Sequence, residues 1–402
     1  MPDVMEGFPP EPSNQVTLAN WRTAPYARWA FHHVREIIPS ARIATDADRR
    51  GAFEAREVDL SNFTVAGVDG APLDMAAYLA ATATSGMMVL KDGRQVFAVT
   101  TNGLTLDTPH ILMSVSKSVL GLVAGALVDD GTLDPEAEVT RYVPEVADTA
   151  FAGARVRDLL DMRVGIEFDE DYLRTDGPII AYRKATNWNP LEPGETATDL
   201  RAFFSSLTAR DGDHGAAFHY VSPNTDLMAW VIERASGERY ADVLSSRLWK
   251  PMGASDDAYI TVDRLGAPRG AGGVCVSLRD LARLGQLLVD DGNAFDGRRV
   301  VSRDWIVDIE TAGDRQAWAA GDFAAQYGDV AMHYRSKWYV RRPTGAAGAM
   351  MFGVGIHGQH VFVDRAERVV VAKVAAQTQP LDPDLKQLNI RAATALIDLL
   401  RD

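Results

Sequence analysis

One stretch constrains this chain more than any other: "LMSVSKSVLGLVAGALVDDG", residues 112–131. From Met113 to Asp130 it reads as a helix, and the middle, Val119 to Val128, is apolar nearly all round. A helix without a solvent face must be covered on every side by other elements. Its apolar run falls far short of a membrane span, so the cover has to be protein. Gly131 stands where a C-cap glycine would, and Pro135 prevents continuation.

The chain can supply that cover. It has 402 residues, 47% of them hydrophobic, enough chain for two or three domains and a large core. A formal charge of −14 argues against nucleic acid and anionic membrane as partners. Cys275 is the only cysteine, which excludes an internal disulfide and a thiolate metal site. The first residues, "MPDVMEGFPPEPSNQ", lack a basic segment followed by an apolar one. The expectation is a soluble cytoplasmic protein without a signal peptide.

Residues 1 to about 20 read as a loosely packed, proline-rich arm. "MMVLKDGRQVFAVT" is a hairpin with Asp92-Gly93 at its turn. From about 150 to 260 the pattern is mainly helical. "SLRDLARLGQLLVDDG" opens on a serine cap and ends at Gly292. The tail returns to strands, "HVFVD" and "RVVVAKVAA", and closes with the helix "DLKQLNIRAATALIDLL". Strands near both ends around a helical block imply one sheet built from both termini, with a helical insertion.

Ser114 and Lys117 stand at S-x-x-K on the first turn of the buried helix, so hydroxyl and amine share a face. Unpaired N–H groups at a helix start can stabilise an oxyanion. A lysine under apolar residues loses its proton more easily, and a neutral amine beside a hydroxyl is a base beside a nucleophile. Ser116 and Ser118 point off that face. Tyr220-Val-Ser222 precedes another helix, and a tyrosine near a lysine ammonium can pass protons.

"GVGIHG", residues 353–358, spells the G-x-G-x-x-G of dinucleotide sites. Residues 359–364 alternate as a strand, not a helix, so no helix N-terminus waits for a pyrophosphate. The stretch reads instead as small residues entering an edge-like strand, close to which a substrate can lie. The N–H of Ile356 is then a second oxyanion donor, and His357 a wall of the pocket. His357 and His360 face opposite sides of a strand, which argues against a metal pair.

Ser114-Val-Ser-Lys117, Tyr220-Val-Ser222 and a glycine-rich strand, in that order, resemble the superfamily of serine β-lactamases, penicillin-binding proteins and family VIII carboxylesterases. "VRDLLDMRVGI", "ERASGERYADVLSSRLWKPMGASD" and "GGVCVSLRDLARLGQLLVDDG" extend the resemblance over roughly residues 85–375. "DEDY", "YVSPNTDLMAW" and "GIHGQ" are similar to the branch that hydrolyses 6-aminohexanoate oligomers.

The resemblance implies an α/β fold of the serine β-lactamase type, a mainly antiparallel sheet flanked by helices. Residues 1–140 and 268–402 would form the α/β domain and residues 141–267 a mostly helical insertion. It implies Ser114 as nucleophile, Lys117 and Tyr220 as proton relay, and the N–H groups of Ser114 and Ile356 as oxyanion hole. Tyr172 would close over the substrate and meet its amide nitrogen. Trp188, Trp338 and His357 would line the pocket, and Ser222 would support it. The reaction would be hydrolysis of small linear amides and short esters through an acyl-enzyme, without metal or cofactor. A general carboxylesterase and a non-hydrolytic penicillin-recognising homologue are the alternatives, and a homodimer is compatible with either.

There are departures from the pattern. Arg183, followed by Lys184, takes the place of an acidic residue that holds the substrate's ammonium, so both would repel one. Ala271 replaces a polar pocket residue. Gly355-Ile356-His357 replaces K-T-G, which leaves no lysine for a β-lactam carboxylate.

Overall fold

A computed structural model describes residues 4–328, 330–342 and 348–401. The apolar helix, α1, spans Val115–Asp129 and is buried over almost its whole length. Two glycines one turn apart make this burial feasible. A Cβ on Gly121 would stand 2.0 Å from the Ser336 carbonyl oxygen, and one on Gly125 would stand 2.4 Å from the Trp305 ring. Trp305 Nε1 uses the room to donate to Gly121 O at 3.1 Å. Gly131 leaves the helix at φ +78°.

The main sheet has seven strands, in chain order β1 (Thr84–Lys91), β2 (Arg94–Thr100), β3 (Ala331–Arg335), β4 (Trp338–Arg342), β5 (Met350–Gly355), β6 (Gln359–Asp364) and β7 (Val369–Ala375). Their spatial order is β2-β1-β7-β6-β5-β4-β3, and every neighbouring pair is antiparallel. The sheet therefore joins strands from both ends of the chain. Asp92 (φ +53°) and Gly93 (φ +75°) make the tight turn of the first hairpin.

Side chains alternate across β1. Met88 and Leu90 meet Leu281, Leu284 and Leu288 of helix α2 (Leu278–Val289) in the same core as α1. Met87 and Val89 meet Leu388 and Leu396 of the closing helix α3 (Pro383–Leu399). Both faces are covered, which is why β1 and β7 read as nearly continuous apolar runs.

A second, four-stranded antiparallel sheet orders Ser40–Ile43, Ala258–Thr261, Val274–Val276 and His110–Ile111. No sequence signal announced it. Ala258–Thr261 falls inside the expected insertion, yet it pairs with strands from both flanking segments. The rest of 141–267 is mainly helical, and its longest helix is α-helical Ser222–Ser236, ended by Gly237 at φ +73°.

Three expectations change. The described part of the N-terminal arm is pinned rather than loose: Met5 N–H donates to Asn14 O, Gln15 Nε2 to Pro10 O, and Val16 and Leu18 pack against buried Trp21 and Phe31. The strand after "GVGIHG" is not an edge, because β6 lies between β5 and β7. The glycines also serve a different purpose. A Cβ on Gly353 would be 2.7 Å from Ser118 Oγ, and one on Gly355 would be 2.5 Å from Leu112 O. They admit the segment that carries Ser114.

Candidate active site

The small sheet delivers Ser114. Ile111 N–H donates to Phe31 O, Leu112 N–H to Val274 O, and Val274 N–H to Ser116 Oγ. Met113 then turns at φ +46°, a left-handed conformation uncommon for a long side chain, and Ser114 caps α1. Such backbone costs about 1–3 kcal/mol and persists only where the surroundings impose it. Here the Gly355 contact with the Leu112 carbonyl is part of that imposition.

Lys117 is buried, with Nζ 2.9 Å from Ser114 Oγ, 3.1 Å from Ser222 Oγ and 2.7 Å from Ala271 O. Ser222 donates both its hydroxyl proton and its N–H to the Glu170 carboxylate. The Ser222 oxygen is thus left to accept from Lys117. A neutral amine has two protons and one lone pair. With the protons on Ala271 O and Ser222 Oγ, the lone pair faces the Ser114 hydroxyl. Burial pushes Lys117 down to about 8, the nearby Glu170 charge opposes that shift, and Arg269 adds to it.

The Ala271 carbonyl is itself held in place. Asp226 accepts the Ala271 N–H at 2.7 Å and also takes Tyr182 Oη–H and Arg269 Nη1–H. This ion pair is buried. Residue 271 thus contributes its backbone rather than the polar side chain expected there.

Tyr220 lies with its ring 5.1 Å from Lys117 Nζ, and its hydroxyl neighbours are Ser114 and Tyr339. Its proton is not loosened, contrary to expectation. Burial pushes the phenol up, and the hydroxyl neighbours only moderate this. Of the pair, Lys117 is the group whose proton burial loosens, and Tyr220 the one whose proton burial holds.

These groups open onto a cavity of about 410 Å³, whose walls include Ser114, Glu170, Tyr172, Tyr220, Tyr339 and Ile356. Tyr172 donates to Glu170, and Arg183 Nη2 donates to the Tyr172 carbonyl at 3.1 Å. Burial and the Glu170 charge hold the Tyr172 phenol well above its ordinary range. Arg183 and Lys184 do not reach the cavity wall: Arg183 braces the Tyr172 loop, and Lys184 pairs with Glu195.

Three of the expected pocket residues stand back from it. Trp338 and Tyr339 are consecutive in β4, so they face opposite sides. Trp338 joins the α1 core, and Tyr339 lines the cavity in its stead. Trp188 sits one layer behind, edge-on to Trp21 and hydrogen-bonded to Thr261 Oγ1, in the cluster that Ile356 and Tyr172 border. His357 adopts φ +61°, which turns its ring to Gln377 O (2.8 Å) and Phe31. Burial pushes it down to about 4, so it is a neutral packing residue outside the wall.

Glu170 belongs to this cluster but is hidden in the sequence, because the acidic run 167–171 reads as solvated loop. Its spacing two residues before Tyr172 is the one available signal, since a turn there lets both side chains point the same way.

The fold and this grouping of serine, lysine and tyrosine define a class. The beta-lactamase family matches residues 74–395, and the chain belongs to that family as one of its hydrolases. It is 33% identical over 400 residues to the 6-aminohexanoate-dimer hydrolase of Paenarthrobacter ureafaciens, covering 98% of this chain and 96% of that one. Among solved structures, a Bacillus anthracis protein assigned as a 6-aminohexanoate-dimer hydrolase superposes with TM-score 0.85 at 22% identity, over 97% of each chain. EstCE1, a hydrolase with promiscuous acyltransferase activity, superposes with TM-score 0.61 at 15% identity, over 81% of this chain and 98% of its own. These two structural likenesses speak for the fold. No helix among the described residues is long and apolar enough to cross a membrane.

Proposed function

We propose that this chain is a serine hydrolase of small linear amides and short esters, working through an acyl-enzyme on Ser114. The observation that carries the reading is the Lys117 amine, buried, low in pKa and 2.9 Å from Ser114 Oγ with its two other hydrogen-bonding positions already filled. The 33% identity to a 6-aminohexanoate-dimer hydrolase supports an amide between a short acyl group and an aliphatic amine.

In this reading Ser114 Oγ attacks the carbonyl carbon while Lys117 takes its proton. The oxyanion sits between the N–H groups of Ser114 and Ile356, both at the cavity wall. Tyr220, kept protonated by burial, gives its proton to the leaving nitrogen or oxygen and is resupplied from Lys117. Tyr172 accepts the amide N–H or donates to the departing nitrogen. Water then releases the acyl group by the same relay. Trp188 and His357 support this wall from behind rather than touching substrate.

The deciding experiment is intact-mass spectrometry with a slowly turned-over p-nitrophenyl ester. The wild-type protein should gain one acyl group, mapped by peptide fragmentation to Ser114, and Ser114→Ala should gain none. An adduct on Ser116, or full turnover by Ser114→Ala, would refute the assignment. Comparing kcat/KM for short esters and linear aminohexanoate oligomers then separates an amidase from a general carboxylesterase.

A further inference from the structure

The cavity runs from Ser114 and Tyr220 past Phe323, Gln326 and Tyr327 to the first turn of α3, where it carries a cation without an acid. Lys386 Nζ lies 4.9 Å from the Tyr327 ring centroid and 5.8 Å from that of Phe323, and it donates to Gln326 Oε1. No carboxylate of a described residue stands within ion-pairing distance of it. The acids on the same walls are already engaged. Asp322 accepts from His219 Nδ1 (3.0 Å) and from Tyr220 N–H (2.9 Å). Asp382 caps α3 by accepting from Leu385 N–H. Asp169 and Asp171 close loop turns onto the N–H groups of Asp171 and Leu173.

A histidine shares this wall with Lys386. His360 lines the cavity and is 2% exposed. Its Nδ1 lies 3.1 Å from Gly358 O, which places the proton there and leaves Nε2 with no partner. Lys373, opposite His360 in the β6–β7 register, is fully buried, and its Nζ also has no hydrogen-bond partner. Burial lowers all three groups: His360 to about 3, Lys373 to about 7 and Lys386 to about 8. Of these groups only Lys386 and His360 line the cavity, and the free Nε2 of His360 is an acceptor, so Lys386 is the one cationic donor that this end of the cavity offers among the described residues.

We propose that this end of the cavity, built on Lys386 in its Phe323–Tyr327 seat, is a subsite for a carboxylate carried by the leaving group of the substrate. The inference rests on the serine hydrolase reading above. Two features set the side. Phe323 touches both ends of the path, with its ring 5.4 Å from that of Tyr220 and 5.8 Å from Lys386 Nζ. Tyr220 is the group that serves the leaving atom. The charge set fixes the ligand class. One ammonium near Asp322 and Asp382 suits a monoanion, and among the described residues no arginine lines the cavity to fork onto a phosphate.

The test compares N-butyryl-6-aminohexanoate with its neutral carboxamide. Lys386→Met keeps the apolar stem over the rings and removes the charge. For the carboxylate substrate it should lower kcat/KM by about ten-fold or more, chiefly through KM, as loss of a charged hydrogen bond does. For the carboxamide the change should stay within about two-fold. Lys386→Arg should keep most of the preference. Equal losses on both substrates, or no preference in the wild-type protein, would overturn the proposal. Binding of hexanoate to Ser114→Ala, followed by calorimetry, is independent of turnover. It should be measurable and should disappear in the Ser114→Ala/Lys386→Met protein. Absence of hexanoate binding would overturn the subsite alone, whereas a wild-type protein that binds hexanoate but hydrolyses nothing would overturn only the catalytic reading.

Discussion

Glu170→Gln should move the pH profile of this enzyme downward without changing its shape. In the proposed mechanism Lys117 must be neutral to take the Ser114 proton, and burial pushes its pKa down to about 8. The neutral fraction is then about 1% at pH 6, about 9% at pH 7 and about 90% at pH 9. kcat/KM should therefore climb by roughly two orders of magnitude between pH 6 and pH 9 along a limb with a midpoint at about 8. Glu170 opposes the effect of burial, and it is one hydroxyl away from the amine through Ser222. Two hydrogen bonds in series put the charges on the order of 5–6 Å apart. At an effective dielectric of about 20 that is an attraction of roughly 3 kcal/mol, an upper figure for what the carboxylate does to the lysine. Gln keeps the shape and one acceptor but removes the charge, so the ammonium loses support and its pKa falls. The expected shift of the acid limb is one to two pH units downward, at about 1.4 kcal/mol per unit. The assay is kcat/KM on a short p-nitrophenyl ester from pH 5 to 9.5, corrected for spontaneous hydrolysis. A limb that stays in place, or moves up, would show that Glu170 does not set the charge state of Lys117.

Tyr220→Phe should cost about 10²–10⁴ in kcat/KM, the usual weight of a positioned proton donor, and a loss of only a few-fold would remove Tyr220 from the relay. Tyr172→Phe should slow amide turnover more than ester turnover, read as the ratio of kcat values on a matched pair; equal losses would leave Tyr172 a loop residue. Gly121→Ala should destabilise the fold by about 1–3 kcal/mol despite alanine's better helix propensity, because its Cβ would enter the Ser336 carbonyl. Differential scanning calorimetry should show a lowered Tm, and an unchanged one would mean that the helix can move aside.

What the sequence makes legible is what depends on near neighbours along the chain. The S-x-x-K spacing needs only helical periodicity, the Asp92-Gly93 turn only a left-handed pair, and α1 only its unbroken apolar run. Properties set across the fold are not legible in this way. Trp338 and Tyr339 exchange roles because alternation tells which residues share a face, not which face meets the cavity. His357 loses its place at the wall through a single left-handed residue in a turn that reads as strand. Four strands of two to four residues are too short to show a period, so the small sheet goes unseen. Charge alone sets Arg183 against the substrate, but its partner is the Tyr172 carbonyl.

The three contacts of Lys117 differ greatly in chain separation. Ser114 is three residues away, Ser222 is 105 and Ala271 is 154. The first contact arises with one turn of helix, within the microsecond range of helix formation. The other two must wait for long loops to close, and only they bury the amine and lower its pKa. A partly folded chain would carry its serine and lysine side by side and still be inert, because the lysine would be an ordinary solvated ammonium. Acquisition of a reactive serine in a refolding experiment should thus coincide with the last phase of chain organisation and never precede it. The serine–lysine pair is written locally, but the reactivity proposed for it reports on the finished fold.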